Sequence, residues 1–249
     1  MLAYRAANWA GITTNVFFGC LRSYVFVALF VAQPEAAGYR LDDALRYTWL
    51  TQALLAYTNL WGWWDVAETI KTGQVATDLA RPFDYFGFWL GHDVGRAVYH
   101  LLFRGVPIYL AGMILFGVGA PTSPLVWLAF VVSLFLAELV GFAFRFLLNL
   151  TAFWLLDVRG VGMVATIFTS FFSGMLLPIA FFPDWLRVIS AWLPFQGMIY
   201  LPTSVFLGKL EGVNLLVALG QQVGWFTGLA VAGRALLGLA TRRLDIQGG

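Results

Sequence analysis

The sequence has little charge, little histidine and a single cysteine. Charged residues make up 11% of its 249 residues, whereas ordinary globular proteins have about a quarter. Hydrophobic residues make up 60%, which leaves too few polar side chains to cover a water-soluble fold of this length. We therefore expect a protein that lies mostly in lipid. One cysteine, Cys20, cannot form a disulfide framework or a thiolate metal cluster.

The motifs of metal sites, nucleotide sites and nucleic-acid interfaces are also missing. His92 and His100 do not have the i, i+4 spacing of a metal-binding helix. Lys71 lacks the preceding glycine of a phosphate-binding loop, and Lys209 lacks the following serine or threonine. The net charge is only +2, which argues against nucleic-acid binding. The chain is predicted to hold no metal and no cofactor, and any ATP-driven work needs a separate ATPase.

Long apolar stretches are abundant, and they predict six transmembrane helices. Each is long enough to cross roughly 30 Å of hydrocarbon. The segment before the first span lacks the features of a cleaved signal peptide and is predicted to be an interfacial helix. The whole chain, residues 1–249, is predicted to be one all-α transmembrane domain. The six spans are Thr14–Ala32, Leu45–Trp64, Leu101–Gly119, Leu125–Leu148, Val161–Phe182 and Leu215–Leu239.

Positive charge between the spans predicts the orientation, because cytoplasmic segments carry more Lys and Arg. The segments on the same side of the membrane as the two termini contain more Lys and Arg, so both termini are predicted to be cytoplasmic. These residues are Arg5, Lys71, Arg81, Arg96, Arg104, Arg159, Arg242 and Arg243, against Arg40, Arg46, Arg187 and Lys209 on the opposite side.

The cytoplasmic connection between the second and third spans contains a short helix signal. Asp65 precedes Glu68 by three residues, as in a capping box, and Gly73 follows Lys71, as in a glycine C-cap. This pattern predicts a polar helix of about two turns in the cytosol. The external connection, Pro183–Gly208, is apolar but interrupted by prolines. We expect it to form re-entrant helices that dip into the outer leaflet.

Four charged residues, Arg22, Glu138, Arg145 and Arg234, fall within the predicted spans, where charge is costly. Arg22 and Glu138 are predicted to form an ion pair between helices, a structural role being favoured over a substrate or proton site. Glu138 and Arg145 share a helix face but lie about 10 Å apart along the axis, so we expect no contact between them. Arg145 and Arg234 are expected to reach toward the inner interface.

Several segments together resemble one transporter family. In this order, and with six spans, they resemble the ABC transporter type-2 permeases, in a branch of bacterial permeases that lack their own ATPase domain. The segments are LAYRA at Leu2–Ala6, GQVATDLARPFDY at Gly73–Tyr85, LPFQGMIYLPTSVFLGKL at Leu193–Leu210 and RRLDIQGG from Arg242.

This resemblance implies an export-type permease in the bacterial inner membrane that is not catalytic by itself. It implies a second permease, identical or paralogous, and two ATPase subunits that bind ATP and magnesium. The helix between the second and third spans would be the coupling helix that docks into the ATPase. The coupling residues would be Asp65, Glu68, Lys71 and Gly73, with Arg81 and Pro82 completing the turn back to the membrane.

The scarcity of polar groups in the spans favours a hydrophobic or amphipathic cargo, lipid-like or drug-like. We expect the substrate path at the permease interface, lined by polar residues of the second and fifth spans: Thr48, Thr51, Gln52, Asn59, Thr166, Thr169 and Ser170. Two alternatives stay open from the sequence: an integral membrane enzyme that modifies lipids, and a carrier or channel that works without ATP. The first needs acidic, histidine or serine residues clustered at one interface, and the second predicts function without an ATPase.

Overall fold

The structure is a computed structural model. It describes the backbone of residues 2–59, 62–155 and 157–244 and the side chains of 6–59, 62–155 and 157–241. Within these ranges the chain is all-helical, as predicted, apart from an isolated bridge between Ala36 and Tyr39. The helices are α1 (Leu2–Ala32), α2 (Leu41–Thr58), α3 (Asp65–Lys71), α4 (Gln74–Leu79), α5 (Tyr85–His100), α6 (Val106–Phe116), α7 (Pro124–Leu150), α8 (Arg159–Phe172), α9 (Asp184–Ala191), α10 (Tyr200–Phe206) and α11 (Gly212–Leu244).

In the part of the chain that the structure describes, four helical stretches are long and apolar enough to cross a membrane: Ala6–Ala32, Tyr85–Phe116, Pro124–Phe153 and Gly212–Thr241. They correspond to the predicted first, third, fourth and sixth spans. The helices at the predicted second and fifth spans are shorter, with 18 residues in α2 and 14 in α8. The chain is therefore an integral membrane protein, and the count of six spans stays a prediction.

The N-terminal segment is not a separate interfacial helix. It is continuous with the first span, because α1 runs unbroken from Leu2 to Ala32. Its sequence contains neither proline nor a pair of helix-breaking residues between the two predicted parts, so nothing ends the helix there.

The third span begins earlier than predicted. α5 starts at Tyr85, after the Asp84 side chain accepts a hydrogen bond from the Gly87 amide at 2.9 Å. A π-helical segment, Leu101–Gly105, then joins α5 to α6 without a break. Much of the predicted cytoplasmic loop is therefore helix. Hydropathy fails here because it counts Asp93 and Arg96 as exposed charges, whereas the fold pairs them, with Asp93 buried and Arg96 partly buried.

The other predicted boundaries shift for local reasons. α2 ends at Thr58 because Asn59 adopts a left-handed conformation, and Leu60 and Trp61 lie outside the described residues. α8 ends at Phe172, before Gly174 with its φ of 82°, rather than reaching the predicted Phe182. The end of the RRLDIQGG segment, after Leu244, also lies outside the described residues.

α7 is the central helix of the bundle. In the apolar part of Pro124–Phe153, half of the residues are buried. In the corresponding parts of the other three long helical stretches, 28% or fewer are buried. α7 packs against α11, α10, α5 and α3. Most of the buried side chains therefore surround α7, and helices such as α1 and α8 present many apolar side chains outward.

The predicted external segment forms two short helices, α9 and α10, as its prolines suggested. Gln222 of α11 fixes this segment to the bundle: its Nε2 donates to Gly197 O at 2.7 Å and to Ser133 O at 3.0 Å, and its Oε1 accepts from Ser133 Oγ. Gln222 is fully buried, so these hydrogen bonds compensate its desolvation. Whether the segment enters the outer leaflet stays a prediction.

Candidate functional site

The short helix α3 exists where the sequence predicted it, over Asp65–Lys71. The predicted coupling residues, which lie on α3 and in the segment after it, are all exposed. The buried side of α3 consists of Val66 and Ala67. The exposed set comprises Asp65, Glu68, Lys71, Gly73, Arg81 and Pro82.

The start of α3 differs from the prediction, whereas its end agrees with it. Asp65 is the first residue of the helix rather than its cap, and its carboxylate accepts from Trp63 Nε1 at 2.8 Å. The capping-box prediction is therefore wrong. The glycine stop is confirmed, because Gly73 has a φ of 77° and separates α3 from α4.

α3 is fixed to the bundle through the buried side chain of Asn149, near the end of α7. The Ala67 amide donates to Asn149 Oδ1 at 2.9 Å, and Asn149 Nδ2 donates to Trp63 O at 2.7 Å. The same Nδ2 donates to Arg145 O at 2.8 Å. A single amide side chain therefore joins the start of the short helix to the backbone of the central helix.

Apolar packing strengthens this attachment. Val66 of α3 and Val75 of α4 are fully buried among the aromatic side chains of α5 and α7, including Phe86 and Phe146. The rings of Phe86 and Phe146 meet edge to face with centroids 5.0 Å apart. α3 and α4 therefore lie on the end of the bundle, with one face buried and one face free.

Directly next to this attachment lies a group of four charged side chains, Asp93, Arg96, Glu138 and Arg145, which we call the charged cluster; Arg96 is partly buried and the other three are buried. Arg96 is on α5, and its Nε donates to Asp93 Oδ1 at 2.6 Å. Its Nη2 donates to Glu138 Oε1 of α7 at 3.2 Å. Arg145 donates to Asp93 Oδ2, and to Glu138 Oε1 at 2.9 Å. Two positive and two negative groups thus balance.

The charged cluster also caps the end of α2. Arg96 donates to Ala56 O at 2.9 Å and to Tyr57 O at 3.0 Å. Arg145 donates to Thr58 O. These carbonyl groups belong to the last turn of α2, where a helix leaves its carbonyls unpaired and favours positive charge. The cluster therefore joins α2, α5 and α7 at one level of the bundle.

The predicted ion pair between Arg22 and Glu138 is wrong. Arg22 donates instead to Met175 O at 2.8 Å and Leu176 O at 2.7 Å, just beyond the end of α8. Glu138 pairs with the two arginines of the charged cluster. Arg22 thus compensates carbonyl groups left free where the chain turns.

The structure contradicts the predictions for Arg145, whereas it places Arg234 in a partly exposed ion pair. Arg145 and Glu138 do touch, because the long side chains span the two helical turns between them. Arg145 does not reach toward the interface, since it is 5% exposed. Arg234 is about half exposed and pairs with Asp84 at 2.8 Å, with its guanidinium over the Phe86 ring.

Sequence reasoning missed Asp93, Arg96 and Asn149. Asp93 and Arg96 were assigned to a cytoplasmic loop, although their i, i+3 spacing suits a helical ion pair. Asn149 lies one turn after Arg145 at the same end of the span. The available signal was one pair of opposite charges just before the third predicted span, Asp93 and Arg96, and a second pair within the fourth, Glu138 and Arg145.

The substrate-path residues do not come together in one cavity. Thr166 and Thr169 line a cavity of about 20 Å³ with Arg145 and Asn149, but no predicted α2 residue lines it. Thr48 and Thr51 are buried and donate to carbonyls of their own helix. Such a small cavity holds about one water molecule. The remaining path residues are Gln52, which is buried, and Asn59 and Ser170, which are half-buried.

This arrangement defines a polytopic membrane protein with a polar helix pair at one end of its bundle. The sequence model of the family described as ABC-2 family transporter protein matches residues 20–248. The chain therefore belongs to the ABC-2 transporter family, and this membership implies the role of a transport permease. No curated protein and no solved structure matched the chain.

Proposed function

We propose that the chain is the transmembrane permease subunit of an ATP-driven exporter, powered by separate ATPase subunits. Two ATPase copies and a second permease, identical or paralogous, complete the complex. α3 is the coupling helix of this complex, and its exposed charged residues contact the ATPase. The chain lies in the bacterial inner membrane with both termini in the cytoplasm.

One observation carries this proposal: α3 is exposed on one side and rigidly attached on the other. Glu68 and Lys71 are exposed, whereas the Ala67 amide is held by Asn149 of α7. A helix attached in this way transmits a push on its free face to the central helix. Small shifts at a docking surface become rearrangements when packed elements have discrete alternative positions.

The charged cluster extends this connection to two further helices. Asn149 Nδ2 bonds the carbonyl of Arg145, and the Arg145 side chain bonds Asp93 on α5 and the end of α2. A displacement of α3 therefore acts on α2, α5 and α7 together. We propose that this is how closure of the ATPase subunits tilts the spans.

The proposed cargo is hydrophobic or amphipathic, lipid-like or drug-like. The outward faces of α1 and α8 are apolar, with Phe17, Met163 and Ile167 each at least 60% exposed. In the proposed dimer, a path at the permease interface offers such cargo an apolar surface with the half-buried Thr166 and Ser170 of α8 as its few polar groups.

Co-purification tests the partnership. The chain carries a tag at native expression, is extracted in mild detergent, and is assayed for a bound ATPase and for ATP hydrolysis in the eluate. The double charge reversal Glu68→Lys with Lys71→Glu is expected to lower ATPase recovery about tenfold or more, because like charges then face each other across the docking surface.

The matched control reverses another exposed pair with the same spacing. Asp184 and Arg187 of α9 are also three residues apart and exposed, so Asp184→Lys with Arg187→Glu is expected to leave ATPase recovery unchanged. Recovery of the wild-type chain alone contradicts the proposal. Equal recovery with both double variants removes α3 from the docking surface.

A further inference from the structure

A second polar feature lies apart from the charged cluster, between α1 and the π-helical segment. It is a pocket of about 120 Å³ lined by Ala7 and Asn8 of α1, by His100 at the end of α5, and by Arg104 of the π-helical segment. One water needs roughly a tenth of this space. The pocket is therefore large enough for a small polar group of a ligand.

The polar atoms of this pocket have spare hydrogen-bonding capacity. Arg104 Nε and His100 Nδ1 are buried and have no hydrogen-bond partner. Among the side chains that the structure describes, no carboxylate forms an ion pair with Arg104. By contrast, the chain pairs the buried Arg145 with two carboxylates. Arg104 thus supplies a positive charge that an anion is suited to neutralise.

The local backbone holds Arg104 in place. A Cβ atom at Gly11 would lie 2.5 Å from Arg104 Cζ, so the guanidinium rests directly on the backbone of α1. Asn8 Nδ2 donates to Phe103 O at 3.3 Å, within the π-helical segment. Single π-helical turns occur frequently at functional sites. The glycine and the π-helical segment together bring the guanidinium to the mouth of the pocket.

The surroundings of the pocket are apolar and exposed. Trp9, Leu102 and Phe103 are 66%, 55% and 57% exposed, and they lie within stretches apolar enough to cross a membrane. A ligand therefore reaches the pocket along a lipid-facing surface. Basic pockets between transmembrane helices bind the headgroups of anionic lipids.

We propose that this pocket binds the phosphate group of an anionic phospholipid in the leaflet that contains the N-terminal part of α1. Arg104 donates hydrogen bonds to the phosphate, and its planar guanidinium suits two phosphate oxygens at once. His100 Nδ1 supplies a further polar contact. The acyl chains lie along the exposed apolar residues beside the pocket.

Native mass spectrometry of the detergent-solubilised full chain tests this proposal. Phosphatidylglycerol is titrated onto the wild type and onto Arg104→Gln, and diacylglycerol with the same acyl chains serves as the ligand without a phosphate. We expect Arg104→Gln to weaken phosphatidylglycerol binding about tenfold, as loss of a charge-assisted hydrogen bond predicts. Diacylglycerol binding is expected to be equal in both.

Two further variants separate the pocket from general effects. Gly11→Ala keeps every charge and improves helix propensity, yet its Cβ displaces the Arg104 guanidinium, so it too is expected to weaken phosphatidylglycerol binding. Arg159→Gln removes an arginine whose side chain is 90% exposed and is expected to bind like the wild type. Size-exclusion profiles check that all variants are folded.

An excess of inorganic phosphate distinguishes a lipid from a soluble anion. We expect it to leave bound phosphatidylglycerol in place, because the soluble ion lacks the apolar contacts. Displacement of the lipid by inorganic phosphate overturns the lipid as the ligand. Equal phosphatidylglycerol affinity of Arg104→Gln and the wild type overturns the site itself.

Discussion

Three buried charged side chains, Asp93, Glu138 and Arg145, lie together with the partly buried Arg96 in a protein that has few charges. Burying an ion is costly, and the cost is offset only when partners and hydrogen bonds surround it. Asp93 meets this condition because both of its oxygens accept from arginines. The charged cluster therefore holds three helices together only while all its members are present.

Asp93→Asn tests this dependence. The change keeps the shape of the side chain but removes a charge that is fully buried, which leaves Arg96 and Arg145 undercompensated. We expect a loss of stability of about 3–5 kcal/mol, measured as a lower midpoint of thermal unfolding in detergent.

The matched control is Asp42→Asn. Asp42 pairs with Arg46 at 2.8 Å, but the Asp42 side chain is 57% exposed and Arg46 is 30% exposed, and such solvent-accessible pairs contribute about 1 kcal/mol or less. Equal unfolding midpoints for Asp42→Asn and Asp93→Asn would show that the charged cluster does not stabilise the bundle.

Asn149→Ala tests the attachment of α3. It leaves the Ala67 amide and Trp63 O without their partner, at a cost of about 1–3 kcal/mol for each group that stays buried. Hydrogen exchange is expected to speed up in peptides covering α3 and to stay unchanged in α11.

The control is Asn214→Ala, which changes an exposed asparagine of α11 and should leave the hydrogen-exchange protection of α3 intact. Faster exchange across the whole chain of Asn149→Ala would mean general unfolding instead.

At the scale of elements, α3 was predictable and α5 was not. A polar stretch followed by Gly73 is a local signal, and local signals set the bounds of a two-turn helix. The cap of α5 at Asp84 is local, but the burial of Asp93 and the partial burial of Arg96 depend on non-local pairing, since Glu138 and Arg145 of α7 face them. No window along one segment contains that information.

Gly73→Ala tests the turn between α3 and α4. A Cβ at Gly73 meets no atom within 4 Å, so any effect arises from its φ of 77°. A left-handed conformation costs a residue with a side chain about 1–2 kcal/mol. We expect α3 and α4 to lose hydrogen-exchange protection by a corresponding factor.

Gly91 of α5 gives the control for this substitution. It also has open space around it but has no positive φ, so Gly91→Ala is expected to be neutral or to stabilise its helix by up to about 1 kcal/mol. If Gly73→Ala behaves as Gly91→Ala does, the left-handed turn does not fix the helix pair.

At the scale of the whole molecule, the sequence predicts that the protein lies in a membrane more successfully than it predicts which side chains contact each other. Composition and apolar stretches correctly indicate an all-helical membrane protein. Which charges meet depends on the order in which helices pack, and so Arg22 was matched with the wrong partner. The proposed substrate path also depends on the second permease of the proposed complex, and the sequence of one chain does not specify how two permeases pack together.

In the proposed complex, an ATPase drives this bundle through the exposed face of α3. Site-specific photo-cross-linking in intact cells tests it most directly, with a photoreactive amino acid in place of exposed Thr72, at the end of α3, or of exposed Val188 on α9. We expect an adduct from position 72 that mass spectrometry identifies as an ATPase, and none from position 188. An ATPase adduct from position 188, or none from position 72, would contradict it.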